Sequence, residues 1–138
     1  PARVRDGGYD ADRPPSDDVV IAVPADPSYP TLLRSVAATM AARIDLPVDD
    51  LADLRLAVDE AFACLLAAAT GATSVTMRVA PRVEGLEAFL TCDGDAATWP
   101  PASDDLARQV LTALADEVRF DRADGRPAVA IGKRAARG

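Results

Sequence analysis

The run Asp53-Leu54-Arg55-Leu56-Ala57-Val58-Asp59-Glu60-Ala61-Phe62-Ala63-Cys64 decides how this chain folds. It sits in a longer segment whose apolar residues recur at three and four: Leu51, Leu54, Val58, Ala61, Phe62, Leu65 and Leu66. That spacing gathers side chains on one face of a helix. It predicts a helix from near Asp49 to a stop at Gly71. The Ala- and Leu-rich C-terminal half marks it as the most buried helix. Residues four apart share a helical face, so Glu60 and Cys64 project together, one turn apart.

Upstream, Val19-Val20-Ile21-Ala22-Val23 is short, β-branched and closed by Pro24, the pattern of a strand. A first helix starts near Pro30 and runs to about Arg43, with Leu32, Leu33, Val36, Ala37, Met40 and Ile44 in helical period; Leu46-Pro47-Val48 breaks it. Downstream, Ser74 to Val79 and Leu86 to Cys92 read as strands joined by a turn at Val83-Glu84-Gly85. Asp93 to Asp104 is a loop containing Trp99-Pro100-Pro101. A third helix follows from about Asp104 to Ala115, capped by Ser103 or Asp104, with Leu106, Val110, Leu111 and Leu114 on one face. Asp116 to Phe120 returns as a strand, Asp124-Gly125 signals a hairpin, and Pro127 to Lys133 is the last strand. The order β-α-α-β-β-α-β-β is an α+β pattern, in which one sheet with helices on one face buries all three apolar stripes.

Composition narrows the chemistry. The chain has 138 residues, 49% of them apolar, and 15 basic against 22 acidic side chains give a net charge of −7. Residues 1–17 are rich in Pro, Gly and charge and predict a disordered arm; 18–138 predict one domain. The acidic balance argues against direct nucleic-acid binding, which needs clustered Lys and Arg. With no histidine, Ser-His-Asp and Cys-His catalysis and most catalytic zinc sites are excluded, and no metal site is expected. No stretch approaches the roughly 18 apolar residues of a membrane span, so no membrane partner is expected. Two cysteines, Cys64 and Cys92, cannot form a disulfide framework, and a cytoplasmic protein is the plain reading. Redox pairing of these two thiols is one functional possibility; two separate buried thiols is the other.

The run 53–64 resembles the N-box helix of the RsbW-like family of anti-sigma factors and serine-protein kinases, whose pattern is apolar-Ala-Val-Asp-Glu with an Asn four residues after the Glu. Leu111 to Val118 and the closing Gly132-Lys133-Arg134 look like that family's C-terminal helix and hairpin, so the resemblance covers about 19–134. It implies the histidine-kinase-like ATPase (Bergerat) fold, a two-layer sandwich with a mixed sheet covered on one face by three helices. In the family the Glu polarises the attacking hydroxyl and the Asn helps hold Mg²⁺ against ATP. Glu60 stands in the catalytic position, where an ordinary solvated helix carboxylate is the alternative. Cys64 stands in the Asn position, and a thiol is a poor ligand for Mg²⁺; a small apolar core residue is the alternative there.

The family's Asp-x-Gly-x-Gly, whose Asp takes the adenine amino group, corresponds to Asp93-Gly94-Asp95-Ala96-Ala97. Asp93 survives as a cofactor-binding candidate, while Asp95 and Ala97 replace both glycines. The family's Gly-rich lid corresponds to Trp99-Pro100-Pro101-Ala102-Ser103-Asp104-Asp105, with no glycine and two residues lacking an N–H. No cofactor is expected, ATP and Mg²⁺ being bound only if this degenerate site still works. The resemblance implies an anti-sigma factor that sequesters an alternative sigma factor and is released by a STAS-type anti-anti-sigma protein. It also implies a homodimer, with Arg34 and Arg43 of the first helix as exposed partner-binding candidates. The alternative is an active serine kinase acting on the anti-anti-sigma protein.

Overall fold

The computed structural model describes residues 17–135, so the arm expected at 1–17 lies, except for Asp17, outside the described residues. The elements are β1 (Val19–Pro24), α1 (Pro30–Arg43), α2 (Val48–Ala68), β2 (Ser74–Arg82), β3 (Gly85–Cys92), α3 (Leu106–Leu114), β4 (Glu117–Ala123) and β5 (Arg126–Arg134), in the predicted order. The sheet order is β1-β2-β3-β5-β4.

Every neighbouring pair is antiparallel, which corrects the expectation of a mixed sheet. The reason lies in the connections. α1 and α2 go out and back as a pair, returning the chain to the end of β1 it left; the Ala25 amide donates to the Thr73 carbonyl at 3.0 Å across that junction. β3 and β4 do run the same way, as a crossover through α3 requires. β5 is inserted between them and opposes both, so no parallel pair forms.

The register sorts the sheet into two faces. Val23, Val75, Met77, Leu90, Val129 and Ile131 point to the helices and are buried. α2 supplies the matching wall with Leu54, Val58, Phe62 and Leu65, each at most 1% exposed. Burial on that scale stabilises by roughly 1.5–3 kcal/mol per large side chain. The opposite face carries the charged pairs, with Ala80, Ala128 and Ala130 buried between larger side chains: Glu87 pairs with Arg82 at 2.8 Å and Arg119 at 3.3 Å, and the Arg78 guanidinium lies 5.6 Å from the Phe89 ring centre.

α3 departs from its sequence reading twice. Its cap is Asp105, whose carboxylate accepts from the Ala107 amide at 2.9 Å, one residue beyond the expected cap. Of its apolar stripe only Leu111 is buried, and Leu106 is 72% exposed. α3 packs at the rim of the helical layer, and among the described residues nothing covers all of the apolar side that periodicity identified. Among the described residues no helix is long and apolar enough to cross a membrane.

Candidate functional site

The N-box run occupies the middle of α2, and its two marker residues have separate surroundings. Glu60 is half-buried on the outward side of the helix. Cys64 is buried; desolvation pushes its thiol up to about 11, and Asp105 and Glu60 add to this while the Arg108 guanidinium opposes it. Cys92, in β3, is also buried with its thiol raised by desolvation, and both cysteines are free. Buried protonated thiols are inert. Among the described residues no cluster of three His, Cys, Asp or Glu could hold a metal ion.

Asp93 sits where β3 ends, and its carboxylate is engaged within the chain. It accepts from the Thr73 hydroxyl, from the Thr73 amide at 2.7 Å and from the Ser74 amide at 3.0 Å. These bonds, the Thr73 hydroxyl first, lower its pKa to about 2. Gly94 is pressed against the end of α2: a Cβ there would lie 2.9 Å from the Ala72 nitrogen and 3.0 Å from the Ala69 and Ala72 methyls. Asp95 exchanges two backbone hydrogen bonds with Thr70, at 2.7 and 3.0 Å, and its carboxylate meets Arg126 at 2.9 Å.

The loop between β3 and α3 is fastened to the β4–β5 hairpin. Arg122 donates to the carbonyls of Ala96 at 2.6 Å and Trp99 at 3.1 Å. The Trp99 indole N–H donates to the Asp121 carbonyl at 2.8 Å, and its ring meets Phe120 edge-on at 5.7 Å. From α3, Arg108 donates to the Pro101 carbonyl at 2.6 Å while its guanidinium lies 4.3 Å from the Phe120 ring centre. Phe120 therefore carries Trp99 and Arg108 together. Arg122 and Arg108 were not singled out in the sequence, and Trp99 was named only as part of the glycine-free loop. The only local signal was an aromatic residue inside an otherwise polar, proline-rich loop.

Beside this closed loop the helical layer is open. A trough of about 740 Å³ runs along the outward side of α2, with Leu56, Glu60, Ala63 and Leu66 as its floor. The start of α1 forms one wall and Val110 and Leu114 of α3 the other. Arg34 lies on the α1 wall, half-buried and not freely exposed as expected: it donates to Asp59 at 2.5 Å and to the Thr31 hydroxyl at 2.9 Å. Arg43, at the end of α1, is exposed and lies outside the trough lining. The structure thus brings Glu60 and Arg34 to one site and separates Asp93 and Arg43 from it.

Lys133 is a further residue whose setting the sequence reading missed. It is 6% exposed, donates to the Leu114 carbonyl at 3.1 Å and pairs with Asp50 at 3.2 Å and Asp53 at 3.9 Å. It ties β5 to the start of α2 and the end of α3. The alternation Val129, Ile131, Lys133 already places it on the inward face.

No family model matches the chain. Over 101 residues it is 36% identical to the anti-sigma-F factor RsbW of Mycobacterium tuberculosis, in strains CDC 1551 / Oshkosh and ATCC 25618 / H37Rv. That match covers 72% of this chain but 58% of the relative, so the chain spans little more than half the length of the curated relatives it matches. Among solved structures, a crystal structure of the RsbU and RsbW domains of a Mycobacterium tuberculosis protein superposes with a TM-score of 0.69. It covers 91% of this chain and 34% of that one at 17% identity, a likeness of fold.

Proposed function

This chain is an RsbW-like protein, and from that premise we propose that it is an anti-sigma factor: it binds an alternative sigma factor, of the stress or sporulation type, and keeps it from RNA polymerase. The 36% identity to an anti-sigma-F factor carries this reading. A STAS-type anti-anti-sigma protein competes for the same chain and releases the sigma factor. The protein works in the cytoplasm as a homodimer built on the histidine-kinase-like ATPase fold. Its net charge of −7 favours a basic partner and raises the rate of encounter.

Mg-ATP has no place in this proposal, because the residues present do not fit it. The Asp93 carboxylate is already engaged by Thr73 and Ser74. The loop that would close over phosphates lacks glycine, leads into α3 through Asp104 and the cap Asp105, and is fastened by Arg122 and Arg108. Acidic side chains at a helix start compensate its dipole and repel an anion. Cys64 offers a protonated sulfur where Mg²⁺ wants oxygen. A general base accelerates only a reactant that is held in place, so Glu60 alone supports no kinase step.

The test is a binding titration between the purified chain and the alternative sigma factor encoded beside it, with and without Mg-ATP. A complex at micromolar or lower concentration, unchanged by nucleotide, is expected. No complex at micromolar concentration overturns the anti-sigma reading.

A further inference from the structure

We propose that the trough over α2 is the docking site for an amphipathic helix of the sigma partner, and that Glu60 serves there as the acceptor for a Lys or Arg on that helix, not as a catalytic base. The proposal rests on the anti-sigma reading and adds where the partner sits and what chemistry it must bring.

The shape comes from two helices whose apolar sides are left uncovered among the described residues. On α2, Leu56 is 55% exposed, and Ala63 and Leu66 follow it on the same outward face. On α3, Val110 and Leu114 are half-buried against the trough, and Leu106 above them is 72% exposed. The floor from Leu56 to Leu66 spans about 15 Å, nearly three helical turns. Ala63, at its middle, lets a second backbone come close, as helices packed at about 8–10 Å require. A partner helix with apolar residues at i, i+3 or i+4, and i+7 lies along such a floor.

The charge pattern selects the occupant. Asp59 is neutralised by Arg34. Among the described residues Glu60, one position on, makes no ion pair. A neutral helix laid over the trough would bury that carboxylate unpaired, which is strongly unfavourable. The occupant must therefore place a cation between its apolar anchors. A second copy of this chain docking trough to trough about a two-fold axis would instead bring a second unpaired Glu60 and, as its one basic lining residue, an Arg34 already held by Asp59. The trough is consequently a hetero-docking surface for a basic, amphipathic helix.

The experiment is a titration of the sigma factor named above against the chain and four single variants, each first matched to the parent by circular dichroism. Ala63→Arg fills the floor, Leu56→Asp puts charge on an apolar anchor, and Glu60→Lys reverses the acceptor. Val83→Lys, on the fully exposed turn between β2 and β3, is the control. Each trough variant is expected to weaken binding by roughly 30-fold or more, as central interface residues do, and the control by less than about 2-fold. Binding lost in Glu60→Lys should return when the cation on the sigma helix is changed to Glu. Hydrogen exchange should show Leu56–Leu66 protected by the sigma factor. Sigma binding that survives all three trough variants overturns the site and leaves the anti-sigma reading standing. Loss of only anti-anti-sigma binding in those variants overturns the occupant. A parent chain that binds no sigma factor removes both readings together.

Discussion

Trp99→Ala tests whether the loop after β3 is a fixed part of the fold. Trp99 is 5% exposed, donates to the Asp121 carbonyl at 2.8 Å, packs edge-on against Phe120 at 5.7 Å, and its own carbonyl accepts from Arg122 at 3.1 Å. Truncating a buried Trp to Ala costs ~3–5 kcal/mol. β4 is an edge strand, so water can reach the Asp121 carbonyl once the indole leaves, which puts the expected loss in the lower half, about 3–4 kcal/mol. Against a total of ~5–15 kcal/mol that is a severe change. At ~3–4 °C per kcal/mol it lowers the melting temperature by about 10–15 °C. Urea unfolding should be followed by far-ultraviolet circular dichroism, because Trp99 is the single tryptophan. In the parent protein its fluorescence then reports the loop alone, and its transition should coincide with that of the secondary structure. A loss below ~1 kcal/mol, or loop fluorescence that changes well before the circular dichroism, would refute the idea of a fastened loop and restore a mobile lid.

Gly94→Ala forces a methyl to within 3.0 Å of Ala69 and Ala72; a destabilisation of ~1–3 kcal/mol is expected in the same urea assay. Asp93→Asn tests the carboxylate that holds Thr73 and Ser74. Its folded pKa, about 2, lies below the ordinary 3.8, so the unfolded chain takes up the proton first as pH falls. Its contribution is complete above about pH 4 and fades towards pH 2. The gap in urea midpoint between parent and variant should therefore close over that interval, and a constant gap would contradict the assignment. Lys133→Met keeps the packing but leaves Asp50 and Asp53 unpaired; these carboxylates are 31% and 43% exposed and can rehydrate, so a loss of ~1–3 kcal/mol is expected by thermal melt.

The helices and strands were legible because their apolar periods are local. The period of Leu54, Val58, Ala61, Phe62 and Leu65 fixes α2 whatever surrounds it. The antiparallel character of every pair was not legible, because chain order does not say that β5 enters between β3 and β4. The fastening of the 93–105 loop was hidden for the same reason: Arg122 bonds to Ala96 and Trp99, 26 and 23 residues away. Arg34 read as exposed because its partner, Asp59, is 25 residues on. The α3 stripe read as core because amphipathicity states which side is apolar but not what covers it. Glu60, Cys64 and Asp93 came into view through the resemblance to the RsbW-like motifs, which names positions and not surroundings. Their surroundings, a trough floor, a buried pocket and a strand-end hydrogen-bond cluster, needed coordinates.

Calorimetric titration of the purified chain with Mg-ATP tests the proposal that its residues form no working phosphate cradle. With Asp93, Trp99, Arg108 and Arg122 in their observed bonds, no saturable heat should appear up to ~1 mM nucleotide, a limit of about −4 kcal/mol in affinity. Saturable binding with a Kd below ~100 μM would contradict it and return Glu60 to the role of a kinase base.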